Sequence, residues 1–171
     1  MSKQTRPRTD LESLLDTLES DDGATRQKAR TKLVALGKTA VPRLTRALQH
    51  SGMNQVRWEA AKALGAIGDP GAIPALVKAL EDSDPDVAWL AAEGLRKFKK
   101  GAWPPLLRVL LKHGPESTSL RQGAHHVLRN QRAHGFNDLL ATLSKALESG
   151  ALPESATVAA YNILKRMRGK P

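Results

Sequence analysis

Three basic residues recur at intervals of about thirty residues and offer the clearest binding chemistry in the sequence. Arg46, Lys78 and Arg108 each occupy the sixth place of an eight-residue apolar motif, and Arg43 and Lys112 lie within one turn of the first and the last. Cations at one repeated position reinforce each other's field when their separation is close to the Debye length, ~8 Å at physiological salt. The pattern predicts a surface that binds an anionic partner. Ordinary solvated lysine and arginine side chains are the alternative interpretation.

Two tryptophans indicate a second contact surface. Trp58 and Trp89 occupy the same place in two copies of another repeated motif, and at 100° per residue both fall opposite that motif's apolar side. Exposed aromatic patches tend to mark contacts between molecules. Packing of each indole over its own helix is the alternative. Trp103 opens an apolar octet and is expected in the core.

The sequence offers little for catalysis or for metal binding. It contains no cysteine, which excludes disulfides, thiolate zinc sites and a cysteine nucleophile. His125 and His126 are adjacent, so on a helix their side chains point about 100° apart, and no carboxylate stands beside them at ligand spacing. We therefore expect no metal, no cofactor and no catalytic residue.

The composition predicts a helical and strongly basic protein. Of the 171 residues 40 % are hydrophobic but only 4 % are aromatic, which favours a core of closely packed Leu, Ala, Val and Ile. The formal net charge is +10, and residues 24–54 carry seven cations and no acid. Such a charge favours acidic proteins or nucleic acids as partners. Cations near the C-terminal ends of helices are also explained by the helix dipole.

Two alternating motifs would have to position these residues. The A motif places alanine four positions before leucine and occurs as Ala29/Leu33, Ala60/Leu64, Ala91/Leu95, Ala124/Leu128 and Ala160/Leu164. The B motif is an octet with large apolar residues at places 1, 4 and 8, and its copies LESLLDTL, VPRLTRAL, IPALVKAL, WPPLLRVL and FNDLLATL begin at Leu11, Val41, Ile73, Trp103 and Phe136. Both spacings are typical of helices buried on one face. We predict about ten helices, alternately of A and B type, that become stable by stacking in pairs.

Capping and turn residues agree with this division. Proline follows the first residue of three octets, where its missing N–H costs little. Gly37 and Gly68 are predicted to end the A helices of their repeats. The residues at the predicted N-cap positions of A helices are Asp22, Asn54, Asp84 and Ser155.

The segment VRWEAAKALGAIGDPGAIPALVKAL, from Val56 to Leu80, resembles the HEAT repeat, especially its phycobilin-lyase-like branch (PBS lyase HEAT-like). The resemblance covers residues 11–168. It implies an all-α protein, a right-handed α-solenoid (alpha-alpha superhelix) of about four to five helix pairs, with B helices on the concave face and A helices on the convex face. The family's repeat arginine matches Arg26, Arg57 and Arg121 but is replaced at Ala88 and Thr157, which implies an incomplete Asp–Arg ladder between repeats.

The expected organisation is a flexible basic N-terminus at 1–10, a single repeat domain at 11–168 and a short tail at 169–171. No run of 18 apolar residues exists in the sequence, so no membrane span is expected. The N-terminus also lacks the apolar stretch of a signal peptide. We therefore expect a cytoplasmic protein that is a monomer or a weak homo-oligomer.

The function predicted from these features is that of a non-catalytic scaffold or adaptor that binds an acidic protein partner through a basic concave face. Sequence-independent nucleic-acid binding on the same face is the alternative, although few aromatic residues are available for stacking on bases. The chain lacks the His-Glu dipeptides of deoxyhypusine hydroxylase, an enzyme that also resembles HEAT repeats. Resemblance to HEAT-like alkylpurine DNA glycosylases is a distant third possibility, for which Asp138 is the one carboxylate expected near Arg108.

Overall fold

The computed structural model describes residues 10–114, 116–149 and 153–169. The predicted N-terminal segment 1–10 and tail 169–171 lie outside these ranges, except that Asp10 begins the first helix and Gly169 follows the last. The described ranges contain no strand and ten α-helices, which are α1 (Asp10–Thr17), α2 (Gly23–Ala35), α3 (Val41–His50), α4 (Asn54–Ile67), α5 (Ile73–Lys78), α6 (Pro85–Lys97), α7 (Trp103–His113), α8 (Thr118–Leu128), α9 (Asn137–Glu148) and α10 (Glu154–Arg168). Short 3-10 helices lead into α3, α5 and α7 and extend α5.

The helices form two stacked layers. In the A layer, α2, α4, α6 and α8 pack against one another in chain order, and in the B layer, α3, α5 and α7 do the same. Each B helix also packs against the A helix that follows it. The predicted all-α solenoid of HEAT-like helix pairs is therefore confirmed.

The core contains the residues that the two motifs predicted. Ala60, Ala91 and the leucines that follow them by four positions are fully buried. Trp103 is 1 % exposed, and its ring centroid lies 5.7 Å from that of Phe136. Because the side chain of alanine is a single methyl group, the A helices can approach each other closely, and they bury these small residues between them.

Two of the four predicted N-caps are confirmed. The carboxylates of Asp22 and Asp84 accept hydrogen bonds from the backbone N–H groups of the first turns of α2 and α6. Asn54 is instead the first residue of α4, where its amide donates to Asp84 at 2.8 Å, and Ser155 lies within α10. The amide side chain of Asn54 thus links successive repeats, because the next repeat presents a carboxylate within its reach.

In the terminal pair, α9 and α10, the two helices have exchanged layers: the octet helix lies in the A layer and the other helix lies in the B layer. The octet helix α9 packs against α8 of the A layer, and α10 packs against α7 of the B layer. Arg166 of α10 donates to the carbonyl oxygen of Gly135, and its guanidinium lies 5.8 Å from the ring centroid of Phe136. The strict alternation of A and B helices that the sequence predicted does not extend to this pair.

Candidate functional site

The basic row consists of Arg46, Lys78 and Arg108, one on each of the three packed B helices α3, α5 and α7. All three side chains are exposed. They stand at equivalent places on helices that neighbour one another in chain order, so they follow one another across the stack. Among the described residues, none of them forms an ion pair. Their charge is therefore available to a partner.

The two residues that flank the row differ from each other. The guanidinium of Arg43 lies 3.6 Å from the carboxylate of Glu12, and both side chains are about half exposed. A surface pair of this kind contributes little free energy but reduces the charge that Arg43 offers to a partner. Lys112 is exposed near the end of α7.

Helix α10 extends the basic surface beyond the row. A cleft of about 310 Å³ between α7 and α10, the α7–α10 cleft, is lined by Arg108, Leu111, Tyr161, Leu164, Lys165 and Arg168. Three of its lining residues are cations and none is an acid. The alternation of A and B motifs does not predict this cluster, because it assigns α10 to the A layer. Its signal is the spacing of Tyr161, Lys165 and Arg168, which puts them on one face of a helix.

The two tryptophans have different environments. Trp89 is 55 % exposed and lies 5.9 Å, between ring centroids, from His126 of the next repeat. It lines a cleft of about 410 Å³ between α6 and α8. Trp58 is half-buried, and the ammonium group of Lys62 lies 4.0 Å above its ring. Trp58 thus packs over its own helix, and Trp89 is the indole that is open to a partner.

His126 is engaged by a carboxylate from the neighbouring repeat. Its Nε2 lies 2.5 Å from Oε1 of Glu93, which also accepts a hydrogen bond from Arg96 at 2.9 Å. Burial raises the pKa of Glu93, but these two hydrogen bonds outweigh it and hold the pKa below its usual value. Among the described residues, no group of three or more potential ligands could hold a metal ion.

The repeat arginines join each A helix to the loop before it. Arg26, Arg57 and Arg121 donate to the carbonyl oxygens of Ser20, Ser51 and Gly114 at 2.7, 3.0 and 2.6 Å. Arg57 also donates two hydrogen bonds of 2.9 Å to the carboxylate of Asp82 in the next repeat, which raises the pKa of the arginine. Arg57 thereby stabilises the stack of repeats, which helps to keep the basic row in place.

A buried ion cluster between α2 and α4 was not predicted. Glu59 is 1 % exposed, is hydrogen-bonded to Arg30 and lies 3.6 Å from Arg26. Burial lowers the pKa of the neighbouring Lys62, and the charge of Arg30 lowers it further. The sequence did carry a signal, because Arg30 aligns with the buried alanines at 61 and 92 of later repeats. A charged residue at a buried position requires a partner.

The carboxylate considered for glycosylase chemistry is not part of the basic row. Asp138 lies on α9, whose main neighbours are α8 and α10, and its Oδ1 is 3.7 Å from Arg166. The prediction that Asp138 stands near Arg108 in the B layer is not supported, because α9 occupies the other layer. The B face instead combines cations, an exposed phenol and an apolar cleft. This combination can bind anionic groups and bury an apolar side chain.

Comparison with known proteins identifies the repeat. The family model described as HEAT repeats matches residues 11–96. This chain belongs to the HEAT-repeat family. A chain in the structure of the complex of CpcE and CpcF of phycocyanin lyase from Nostoc sp. PCC7120 is similar, with 24 % identity and a TM-score of 0.59 over 90 % of this chain and 96 % of that one. The expected likeness to phycobilin-lyase-type HEAT repeats is confirmed at the level of the fold.

No curated protein matches the chain significantly. In the ranges that the structure describes, no helix has both the length and the apolar character needed to cross a membrane.

Proposed function

We propose that this HEAT-repeat protein is a non-catalytic scaffold that binds an acidic protein segment along the basic row. The observation that carries the proposal is the equivalent and exposed placement of Arg46, Lys78 and Arg108 on three helices that pack in succession, where no described residue forms an ion pair with them. The stacked helices hold these cations in place before binding, so little ordering entropy is lost when a partner docks. The charges also steer an acidic partner toward the face.

The structural comparison supports a role in protein association. The similar chain from Nostoc sp. PCC7120 comes from a complex of two proteins, CpcE and CpcF. That likeness also raises one enzymatic alternative, a lyase-type role, which it supports through the fold alone. A cytoplasmic location and a monomeric or weakly oligomeric state stay predictions from the sequence.

Nucleic-acid binding is the second candidate function. Tyr161 is 60 % exposed and shares a cleft with Lys165 and Arg168. An exposed aromatic ring among cations can stack on a base while the cations contact phosphates. Binding of this kind would be independent of base sequence and would weaken steeply with salt.

The test compares two triple variants that change the net charge equally. In the row variant, Arg46, Lys78 and Arg108 are replaced by glutamate. In the control variant, Lys28, Lys32 and Lys97, exposed residues of the A helices, are replaced by glutamate. We expect the row variant to bind a fluorescein-labelled decaglutamate peptide at least tenfold more weakly than wild type, and the control to differ less than threefold, in anisotropy titrations at physiological salt.

Three outcomes would contradict the proposal. Equal losses in the two variants would show that only the overall charge attracts the peptide. Unchanged binding by the row variant would reject the row itself. The third outcome is that a labelled dT15 oligonucleotide binds more tightly than the peptide and binds more weakly to the row variant. That result would indicate that the partner is a nucleic acid and not a protein. Circular dichroism must show the same helical content in all variants.

A further inference from the structure

The structure points to the α7–α10 cleft as the pocket for one large apolar side chain of the acidic segment that lies along the basic row. We propose this anchor as a refinement that rests on the proposed function. It makes the partner an acidic segment that carries a leucine-like or aromatic residue between its acids.

The floor and walls of the cleft are apolar. Leu164 is 7 % exposed and forms part of the core, and Leu111 is half-buried against it. Tyr161 contributes a ring that is 60 % exposed, and Val158, 49 % exposed, lies one turn earlier on α10. Exposed apolar groups of this size lose contact with water when a partner covers them, which favours an apolar occupant.

The rim of the cleft indicates the charge of that occupant. Arg108, Lys165 and Arg168 are exposed and form no ion pair with any described residue. Arg166, which stands next to Lys165 in the chain, is by contrast already engaged by Asp138 and Gly135. An apolar anchor flanked by carboxylates would fill the cleft and pair with the three free cations.

Arg108 connects the cleft with the row. It is the last cation of the row and also lines the cleft, so one extended segment can contact α3, α5 and α7 and place its anchor against α10. The volume of about 310 Å³ is large enough to accept a leucine-sized or aromatic side chain. A folded helix would need a longer groove, which favours an extended partner.

The experiment uses two labelled peptides of equal charge, in which five glutamates stand on each side of a central leucine or a central alanine. The full-length protein should bind the leucine peptide roughly five- to tenfold more tightly, since the larger side chain buries more apolar surface. Tyr161→Ala should reduce this preference below twofold, because it removes the ring that the leucine side chain would contact. Leu36→Ala, which removes an apolar side chain 41 % exposed after α2, is the matched control and should retain the preference.

One double variant separates this inference from the proposed function. Arg46→Glu combined with Lys78→Glu should lower the affinity for both peptides by the same factor and leave the preference for the leucine peptide intact. No weakening would contradict the proposed function, whatever happens at the cleft. The inference of an apolar anchor would be wrong if wild type showed no preference for the leucine peptide, or if the preference persisted in Tyr161→Ala. Either result would leave the proposed role of the basic row unaffected. A dT15 oligonucleotide that displaces the leucine peptide from wild type, but not from the Tyr161→Ala variant, would also overturn the inference of an anchor.

Discussion

Glu59 shows how one charged residue can be held inside a helical stack. It is 1 % exposed, and its charge is balanced by Arg30 and Arg26 of the preceding repeat, which are themselves largely buried. Removing charges from water is costly, so a buried pair is stable only while both partners are present. The cluster therefore joins α2 to α4 through opposite charges, each of which would be unfavourable in this buried site without the other.

We predict that Glu59→Ala lowers the free energy of unfolding by roughly 3 kcal/mol, because it leaves two arginines facing an apolar interface without a counter-charge. Urea denaturation measures the change. Arg43→Ala, which breaks an exposed pair with Glu12, is the control and should cost less than about 1 kcal/mol. The double variant with Arg30→Ala should be less destabilised than the sum of the single variants. An additive result would show that the two residues do not interact.

At the scale of elements, the stack depends on glycine as well as on alanine. Gly65 of α4 and Gly94 of α6 face each other so closely that a Cβ added at Gly65 would lie 2.8 Å from the Cα atom of Gly94. Such a contact involves backbone on both sides, and neither helix can relieve it by moving a side chain. The approach of α4 to α6 is therefore set by these two positions.

Gly65→Ala should destabilise the protein, although alanine is the better helix former. The gain in helix propensity is about 1 kcal/mol, whereas overpacking costs roughly 1–3 kcal/mol, and here the backbone clash should prevail. Gly52→Ala, at a loop position where an added Cβ meets no atom within 4 Å, should be nearly neutral. Thermal and urea unfolding of both variants provide the measurement. Equal or greater stability of Gly65→Ala would show that the two helices can separate without cost.

For the whole molecule, the solenoid makes stability uneven along the chain. Each repeat is held mainly by its neighbours, so helices inside the stack are covered on two sides and terminal ones on one. Helix α4 packs against α2, α3 and α6, whereas α1 contains no buried residue and has α2 as its main neighbour. The basic row lies on the inner helices of this arrangement, where the backbone is held best.

Hydrogen exchange followed by mass spectrometry should show this gradient. The amides of α1 should exchange at least tenfold faster than those of α4, since opening α1 exposes little buried surface. The amides of α5 and α7, which carry two cations of the row, should resemble those of α4. Uniform protection from α1 to α7 would contradict this prediction and would indicate that the described chain opens as one cooperative unit.

Much of this architecture could be predicted from the sequence alone. The spacing of Ala60 and Leu64, with its copies along the chain, identified the buried side of each A helix, and the octets did so for the B helices. Asp22, Asp84 and Gly68 end or begin helices where their local chemistry predicts. These features can be predicted from the sequence because helix periodicity and capping depend on residues within a few positions of one another.

Other features became visible only in the packed structure. The inversion of α9 and α10, and with it the meeting of Arg108 with Tyr161 and Arg168, depends on which neighbour covers each buried face. The contact of Trp89 with His126 joins two repeats, whereas Trp58, at the same repeat position, is covered by Lys62 of its own helix. A periodic pattern shows that a face is buried but does not name the helix that buries it, because that choice rests on contacts between residues far apart in the chain.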